Sequence, residues 1–209
     1  MHMDIQKLPG EVADSLVALD RSHSMQRDTL DSGLIERIAK ADKLAMLVLF
    51  TRHNVRVYRF ALRFVHDEGL AEDLVNEVFF EVWQKAGKFE GRSQVSTWLL
   101  AITRHKALEI ARRRRTVCLD EETWEAIEDV ADNAEAEMHK KQQRAVLFDC
   151  ISKLTPSHRE IVDLVYYHGK SIDEVAEIVG VPRNTVKSRM FYARQQLKGL
   201  LAAKGVVAA

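Results

Sequence analysis

Two cysteines in 209 residues, Cys118 and Cys150, are too few to staple a disulfide scaffold, and they lack the paired spacing of a zinc site. Both are expected to be reduced thiols, Cys150 as a small core residue in an apolar helical stretch. Long apolar runs are also missing. Leu44-Ala45-Met46-Leu47-Val48-Leu49-Phe50 is too short to span a bilayer, and Met1 to Gly10 has no signal-peptide core, which points to a cytoplasmic chain without membrane insertion. No Gly-rich phosphate cradle, His-Glu-x-x-His or Gly-x-Ser-x-Gly is present, and the eight histidines are scattered rather than set at ligand intervals. No catalytic residue, metal site or cofactor is therefore expected, and the chain does not read as an enzyme. Excess charge is absent too: 31 Lys and Arg balance 31 Asp and Glu, so the total gives no hint of a polyanionic partner.

What is present is helical periodicity and an uneven distribution of charge. Arg112-Arg113-Arg114-Arg115 closes a helix that also carries Arg104, His105 and Lys106, whereas Asp120 to Glu137 is rich in acids with no Lys or Arg. Such polarity suits a nucleic-acid face with a separate acidic tether. No alternating strand pattern and no internal repeat appears, so the expected class is all-α: two helical domains joined by a flexible acidic linker that holds them apart. The boundaries read as a 1–31 extension, a first domain over 32–115, the linker over 116–137 and a second domain over 138–203.

Within the extension, Val12, Leu16 and Leu19 form one weak amphipathic patch. Ser32 is a plausible N-cap for a helix running through Leu34, Ile35, Ile38 and Ala41 into the apolar stretch from Leu44 to Val65. Asp67 can cap the next helix, where Leu70, Leu74, Val78 and Val82 keep a helical repeat and Glu72, Asp73, Asn76, Glu77 and Glu81 take other faces. Gly87 and Gly91 bracket a loop, after which Ser93 or Ser96 starts a helix through Trp98, Leu99, Ile102, Leu108 and Ile110 to the arginine run. In the second domain Val146, Leu147, Cys150, Ile151 and Leu154 are the apolar positions of one helix. Thr155-Pro156 opens another, burying Ile161, Val162 and Val165 before His168-Gly169 ends it.

The last stretch reads as helix, tight turn, helix. Ser171 with Glu174 makes a capping box, Val175, Ala176 and Val179 form an apolar stripe, Gly180 suits the left-handed C-terminal position, and Pro182 suits a helix start. Val186, Met190, Ala193 and Leu197 then recur on one face, leaving Arg183, Asn184, Thr185, Lys187, Ser188, Phe191 and Arg194 for a major groove. Cations there neutralise phosphates, while Ser188 and Phe191 are sized for base edges or a thymine methyl. The loop and helix over Phe89, Arg92, Ser93, Trp98, Arg104, His105, Glu109, Arg112 and Arg113 combine aromatic and basic groups, the requirements of single-stranded DNA binding. A solvated charged face accounts for the same pattern.

Three segments in this order carry a resemblance: Ala71-Glu72-Asp73-Leu74-Val75-Asn76-Glu77-Val78-Phe79-Phe80-Glu81-Val82-Trp83, then Phe89-Glu90-Gly91-Arg92-Ser93 leading to Ser96-Thr97-Trp98-Leu99, then Gly180-Val181-Pro182-Arg183-Asn184-Thr185-Val186-Lys187-Ser188-Arg189. From about Leu44 to Leu200 the chain resembles the extracytoplasmic-function (group IV) sigma factors of the sigma-70 family. The resemblance implies that Asp73, Asn76, Glu77, Phe80 and Trp83 grip the clamp helices of the polymerase largest subunit, with the flap as a second contact. It implies a −10 reader in the loop from Phe89 to Ser96 and the helix that follows, a −35 reader in the last helix, and an anti-sigma factor as a further partner. His105 and Glu109 stand where the family usually has asparagine and then aspartate or asparagine, and Arg183-Asn184 where it usually has Glu-Gly. A helix-turn-helix regulator that binds duplex DNA without polymerase explains the last domain equally well, but leaves the helix from Glu72 to Trp83 without a role.

Overall fold

The computed structural model describes residues 30–115 and 146–204. The amphipathic patch at Val12, Leu16 and Leu19, the acidic linker and Cys118 lie outside them. Among the described residues every regular element is helical. The first unit contains α1 (30–38), α2 (Lys43–Val65), α3 (Glu68–Lys85) and α4 (Val95–Arg115), and the second contains α5 (146–152), α6 (Pro156–Val162), α7 (Ile172–Val179) and α8 (Arg183–Ala203).

Chain breaks fall where side chains supply caps or where the backbone turns left-handed. Ala41 adopts φ 62°, and Asp42 then caps α2 by accepting from the Leu44 and Ala45 amides at 2.9 and 3.1 Å. His66 ends α2 at φ 50°, and Asp67 caps α3 through the Leu70 amide at 2.9 Å. Two expected caps are corrected. Ser32 lies inside α1, because residues 30 and 31 are already helical. Neither Ser93 nor Ser96 starts α4: the Gln94 carbonyl accepts the first helical bond, from Trp98 N at 3.0 Å, and Ser96 sits inside the helix.

Buried positions on α2 step by three and four through Ala45, Leu49, His53, Val57, Phe60, Ala61 and Val65. The apolar run at its start is divided: Ala45 and Leu49 point inward, while Leu44, Leu47 and Val48 remain exposed. α3 buries Val75, Val78 and Val82 against α2, and Val95, Leu99 and Ile102 of α4 close this core. A second core does not respect the division of the chain. Phe60 of α2 and Leu100 of α4 join Leu154, Ile161, Leu164, Val175 and Met190 in one cluster, so the two units pack directly on each other. Apolar residues on α2 and α4 that are surplus to the first core thus find partners on α6, α7 and α8.

α1 is fastened to α2 by a buried acid. Asp31, 1% exposed, accepts from Arg52 Nη1 at 2.6 Å and from His53 Nε2 at 2.7 Å. Burial opposes ionisation of this carboxyl, yet the bonds from His53 and Arg52 outweigh it and hold Asp31 below the ordinary carboxylate range. Asp31→Ala is expected to lower the unfolding free energy by about 2 kcal/mol in urea titration, since hydrogen bonds to a charged group are lost and His53 is left buried beside a void. An unchanged midpoint would show that α1 is held by its apolar residues alone.

Candidate DNA-facing and polymerase-facing surfaces

The helix-turn-helix is built by local rules. Ser171 Oγ accepts from the Glu174 amide at 3.3 Å while Glu174 Oε2 accepts from the Ser171 amide at 2.9 Å, completing the capping box. Gly180 sits at φ 70° with its amide donating to the Ala176 carbonyl at 2.9 Å; a Cβ there would meet nothing within 4 Å, so the backbone angle alone calls for glycine. Pro182 caps α8, which buries Val186, Met190 and Ala193 on the second core. Arg183, Asn184, Lys187, Ser188, Phe191 and Arg194 are therefore left exposed, with Thr185 half-buried among them.

Several of these side chains already have contacts. Arg183 Nε lies 3.0 Å from Asp173 Oδ1, but both are more than half exposed and the pair is weak in salt. Ser188 donates to the Asn184 carbonyl at 3.0 Å and keeps its oxygen as an acceptor. Arg194 lies over the Tyr166 ring, 5.7 Å from its centroid, and donates to the phenol at 2.9 Å. Phe191 and Tyr192 form an edge-to-face pair with centroids 5.5 Å apart, both more than half exposed. Tyr166 and Tyr192 were not legible as members of this surface. Tyr166 approaches it only through tertiary packing, and Tyr192 had no repeat position to distinguish it.

The candidate single-strand reader divides into three groups. Phe89 and Trp98 stack at 4.9 Å and rest half-buried on the first core. His105, Glu109, Arg112 and Arg113 make an exposed strip along α4, with Glu109 and Arg113 paired at 2.6 Å. Arg92 pairs with Glu90 on the exposed loop, and Ser93 is half-buried. Arg104 does not join the strip: its Nε donates to Glu160 Oε1 of α6 at 2.5 Å, and the pair is largely buried between the units. On α3, Asp73, Asn76, Glu77 and Phe80 line one exposed face, and Trp83 is half-buried against the core at its end. Lys106 reaches this face from α4, 3.2 Å from Glu81 and 3.3 Å from Glu77. Burial works against its charge, but the two carboxylates prevail and raise its pKa.

Behind α8 the chain widens into a π turn, Asp163–Tyr167. Asp163 pairs with Arg63 of α2 and lies 3.4 Å from His168 Nε2; His168 is fully enclosed, with its ring 5.1 Å from Phe60. Burial pushes the His168 pKa down, opposed by the Asp163 carboxylate and reinforced by the Arg63 and Arg56 cations. Above the ordinary histidine value of about 6.5, folded and unfolded forms are both neutral. Below it only the unfolded chain takes the proton, so stability falls with pH at up to about 1.4 kcal/mol per unit. Urea midpoints are expected to drop between pH 7 and pH 5.5, and His168→Phe is expected to flatten the profile. Asp31 and Glu174, whose values are lowered, contribute only at more acidic pH. A wild-type slope retained by the variant would place the titration elsewhere.

With this geometry in view, the comparisons with known proteins agree with one another. Residues 49–117 match the family model described as Sigma-70 region 2, and residues 150–199 match Sigma-70, region 4. The RNA polymerase sigma-H factor of Pseudomonas aeruginosa is 30% identical over 177 residues, covering 80% of this chain and 91% of that protein. The ECF RNA polymerase sigma factor SigK of Mycobacterium bovis is 28% identical over 171 residues, covering 80% and 91%. Among solved structures, CnrH in complex with the cytosolic domain of CnrY superposes with a TM-score of 0.59 at 25% identity, covering 83% of this chain and 97% of that one. The sigma factor RpoE of Bartonella quintana, in complex with the anti-sigma factor NepR, shares the fold with a TM-score of 0.58 at 23% identity, covering 73% and 94%. Two helical units in this order, each matched by its own region model, place the chain in the extracytoplasmic-function branch of the sigma-70 family of RNA polymerase sigma factors.

Proposed function

We propose that this chain binds core RNA polymerase and directs it to promoters, reading the −10 element with the loop from Phe89 to Ser96 and α4, and the −35 element with α8. The observation that carries the reading is the partition of α8. Its core face is filled by Val186, Met190 and Ala193, and its other face presents Arg183, Asn184, Lys187, Ser188, Phe191 and Arg194 to solvent. Such a helix suits a major groove, with cations for phosphates and Ser188 and Phe191 at base edges. The exposed strip of His105, Glu109, Arg112 and Arg113 beside Phe89 and Trp98 suits an unpaired strand. On this reading His105 and Glu109, which depart from the usual residues, set a base preference of this chain's own. The face of α3 with Asp73, Asn76, Glu77, Phe80 and Trp83 is assigned to the clamp helices, and the second unit to the flap.

Catalysis belongs to the polymerase, and the chain supplies recognition. The proposal extends to group IV membership, a cytoplasmic location and an anti-sigma factor that holds the chain inactive, the last supported by the complex of RpoE with NepR. The domain limits 32–115 and 138–203 stand within it, the first moved back to include Asp31 because that residue is buried against α2.

Core polymerase supplemented with this chain is expected to initiate at members of a genomic promoter library that core alone ignores. No start sites across the library would sink the proposal, while duplex binding without polymerase association would favour the independent regulator. Replacing Lys187, Ser188 and Phe191 together with alanine should reduce initiation at −35-dependent promoters by about 10- to 100-fold, with core binding unchanged in a native-gel assay. Asp73→Lys combined with Phe80→Ala should instead weaken core binding about tenfold or more, leaving α8 contacts to duplex DNA intact.

A further inference from the structure

The outward side of α2 is apolar, and none of the described residues covers it. Leu44, Leu47 and Val48 are 70%, 60% and 40% exposed, and Val55, farther along, is 56% exposed. At about 100° per residue these four side chains and the exposed Thr51 fall within one arc of about 100°. That arc lies opposite Leu49, His53 and Val57, which face the core. From Leu44 to Val55 the stripe runs roughly 17 Å along the axis at about 1.5 Å per residue. It includes none of the residues assigned above to DNA or polymerase. A helix with one buried side normally turns polar residues to water on the other, so a second apolar stripe calls for a second partner.

Charge identifies the kind of partner. α2 carries Lys43, Arg52, Arg56, Arg59 and Arg63 and no Asp or Glu, and the exposed Lys43 and Arg52 border the stripe on its two sides. The matching occupant is a short helix with an apolar stripe of its own and acidic borders. Residues 11–20, Glu11-Val12-Ala13-Asp14-Ser15-Leu16-Val17-Ala18-Leu19-Asp20, have that pattern: Val12, Leu16 and Leu19 share one helical side, Glu11 and Asp20 flank it, and no Lys or Arg is present. Ten helical residues are about 15 Å long, close to the length of the stripe. The tether also suits. Asp31, at the start of α1, is bonded to Arg52 and His53, so the chain before residue 30 leaves the fold beside the middle of α2. Residues 21–29 reach up to roughly 30 Å when extended, ample to pass around a helix about 10 Å across.

We propose that residues 11–20 pack as an amphipathic helix along the outward stripe of α2, making the N-terminal extension a strap on the first unit. The inference goes beyond the promoter-reading proposal and does not rest on it, because the contact needs neither DNA nor polymerase. Seating Val12, Leu16 and Leu19 on Leu44, Leu47, Val48 and Val55 removes apolar surface from water on both helices. The acids meet the cationic borders at the rim, where no charge is buried. A segment so close to its anchor searches at roughly millimolar effective concentration, so a contact too weak to join two molecules forms within one chain.

Hydrogen exchange of the full-length chain, followed by mass spectrometry, reads the contact directly. Amides over residues 12–19 are expected to exchange about tenfold or more slowly in the wild type than in Leu44→Asp/Leu47→Asp, as for a helix docked about nine-tenths of the time. Both substituted positions are exposed and lie near the positive end of α2, where Asp is favourable, and amides of α3 and α4 report whether the fold is kept. Thr51→Glu, a polar-to-polar change in the middle of the stripe, is the second variant and should speed exchange over 12–19 about threefold or more. The slow exchange is expected to persist on dilution. Fast exchange over 12–19 in the wild type overturns the proposal, as does protection that survives both Thr51→Glu and a folded Leu44→Asp/Leu47→Asp. If the double variant unfolds, Thr51→Glu alone decides. Protection that is lost on dilution would assign the stripe to a second copy of the chain and overturn the proposal equally.

Discussion

An ammonium group removed from water must be surrounded by oxygens, and Lys170 obtains its set from both units at once. Gln94, Ser96 and Thr97 come from the start of α4, and Glu174 comes from the first turn of α7. Glu174 is itself half-buried. Burial opposes its charge, yet the Thr97 hydroxyl, the Lys170 ammonium and the Ser171 groups keep its carboxyl below the usual range. One carboxylate thus completes a helix cap, neutralises a buried cation and receives a bond from the other unit. Arg63 with Asp163 and Arg104 with Glu160 repeat the arrangement on either side. The apolar cluster of Phe60, Leu100, Ile161 and Leu164 supplies adhesion, and the charged pairs select the register, because any displaced packing would strand a buried charge.

The parts of the fold readable from sequence are those whose cause lies within a few residues. Ser171 with Glu174, Gly180, Thr155 before Pro156, and Asp67 each satisfy a helix terminus with a neighbour, so their spacing alone announces them. Cys150, 0% exposed, follows from the apolar stretch around it. Local rules failed where a distant group claimed the same atom. Ser96 has the composition of a cap, but its hydroxyl accepts from Lys170, 74 positions away. Asp31 looked like the last residue of an extension, and only the approach of Arg52 and His53 makes it part of the core.

The candidate surfaces show the same division. The outward residues of α8 followed from helical repeat, because Val186, Met190 and Ala193 determine which side is left over. The exposed acids of α3 followed in the same way from Leu74, Val78 and Val82. Arg104 groups with the other cations of α4 by charge alone, yet it faces α6, since the sign of a side chain carries no information about the second domain. Packing between units was invisible for a further reason: Phe60 and Leu100 are ordinary core residues by type, and nothing in their neighbourhood tells which core they enter.

The π turn Asp163–Tyr167 works as a change of phase. In an α-helix, neighbouring side chains are separated by about 100°, and a wider turn advances everything after it by an additional fraction of a revolution. Here the adjacent tyrosines serve different masters: Tyr166 holds Arg194 of α8, while Tyr167 lies under Arg63 and Arg59 of α2. The orientation of α8 is thereby geared to the helix at the centre of the other unit through two consecutive rings. A change of one residue in the length of this turn would leave both helices intact and set them out of step.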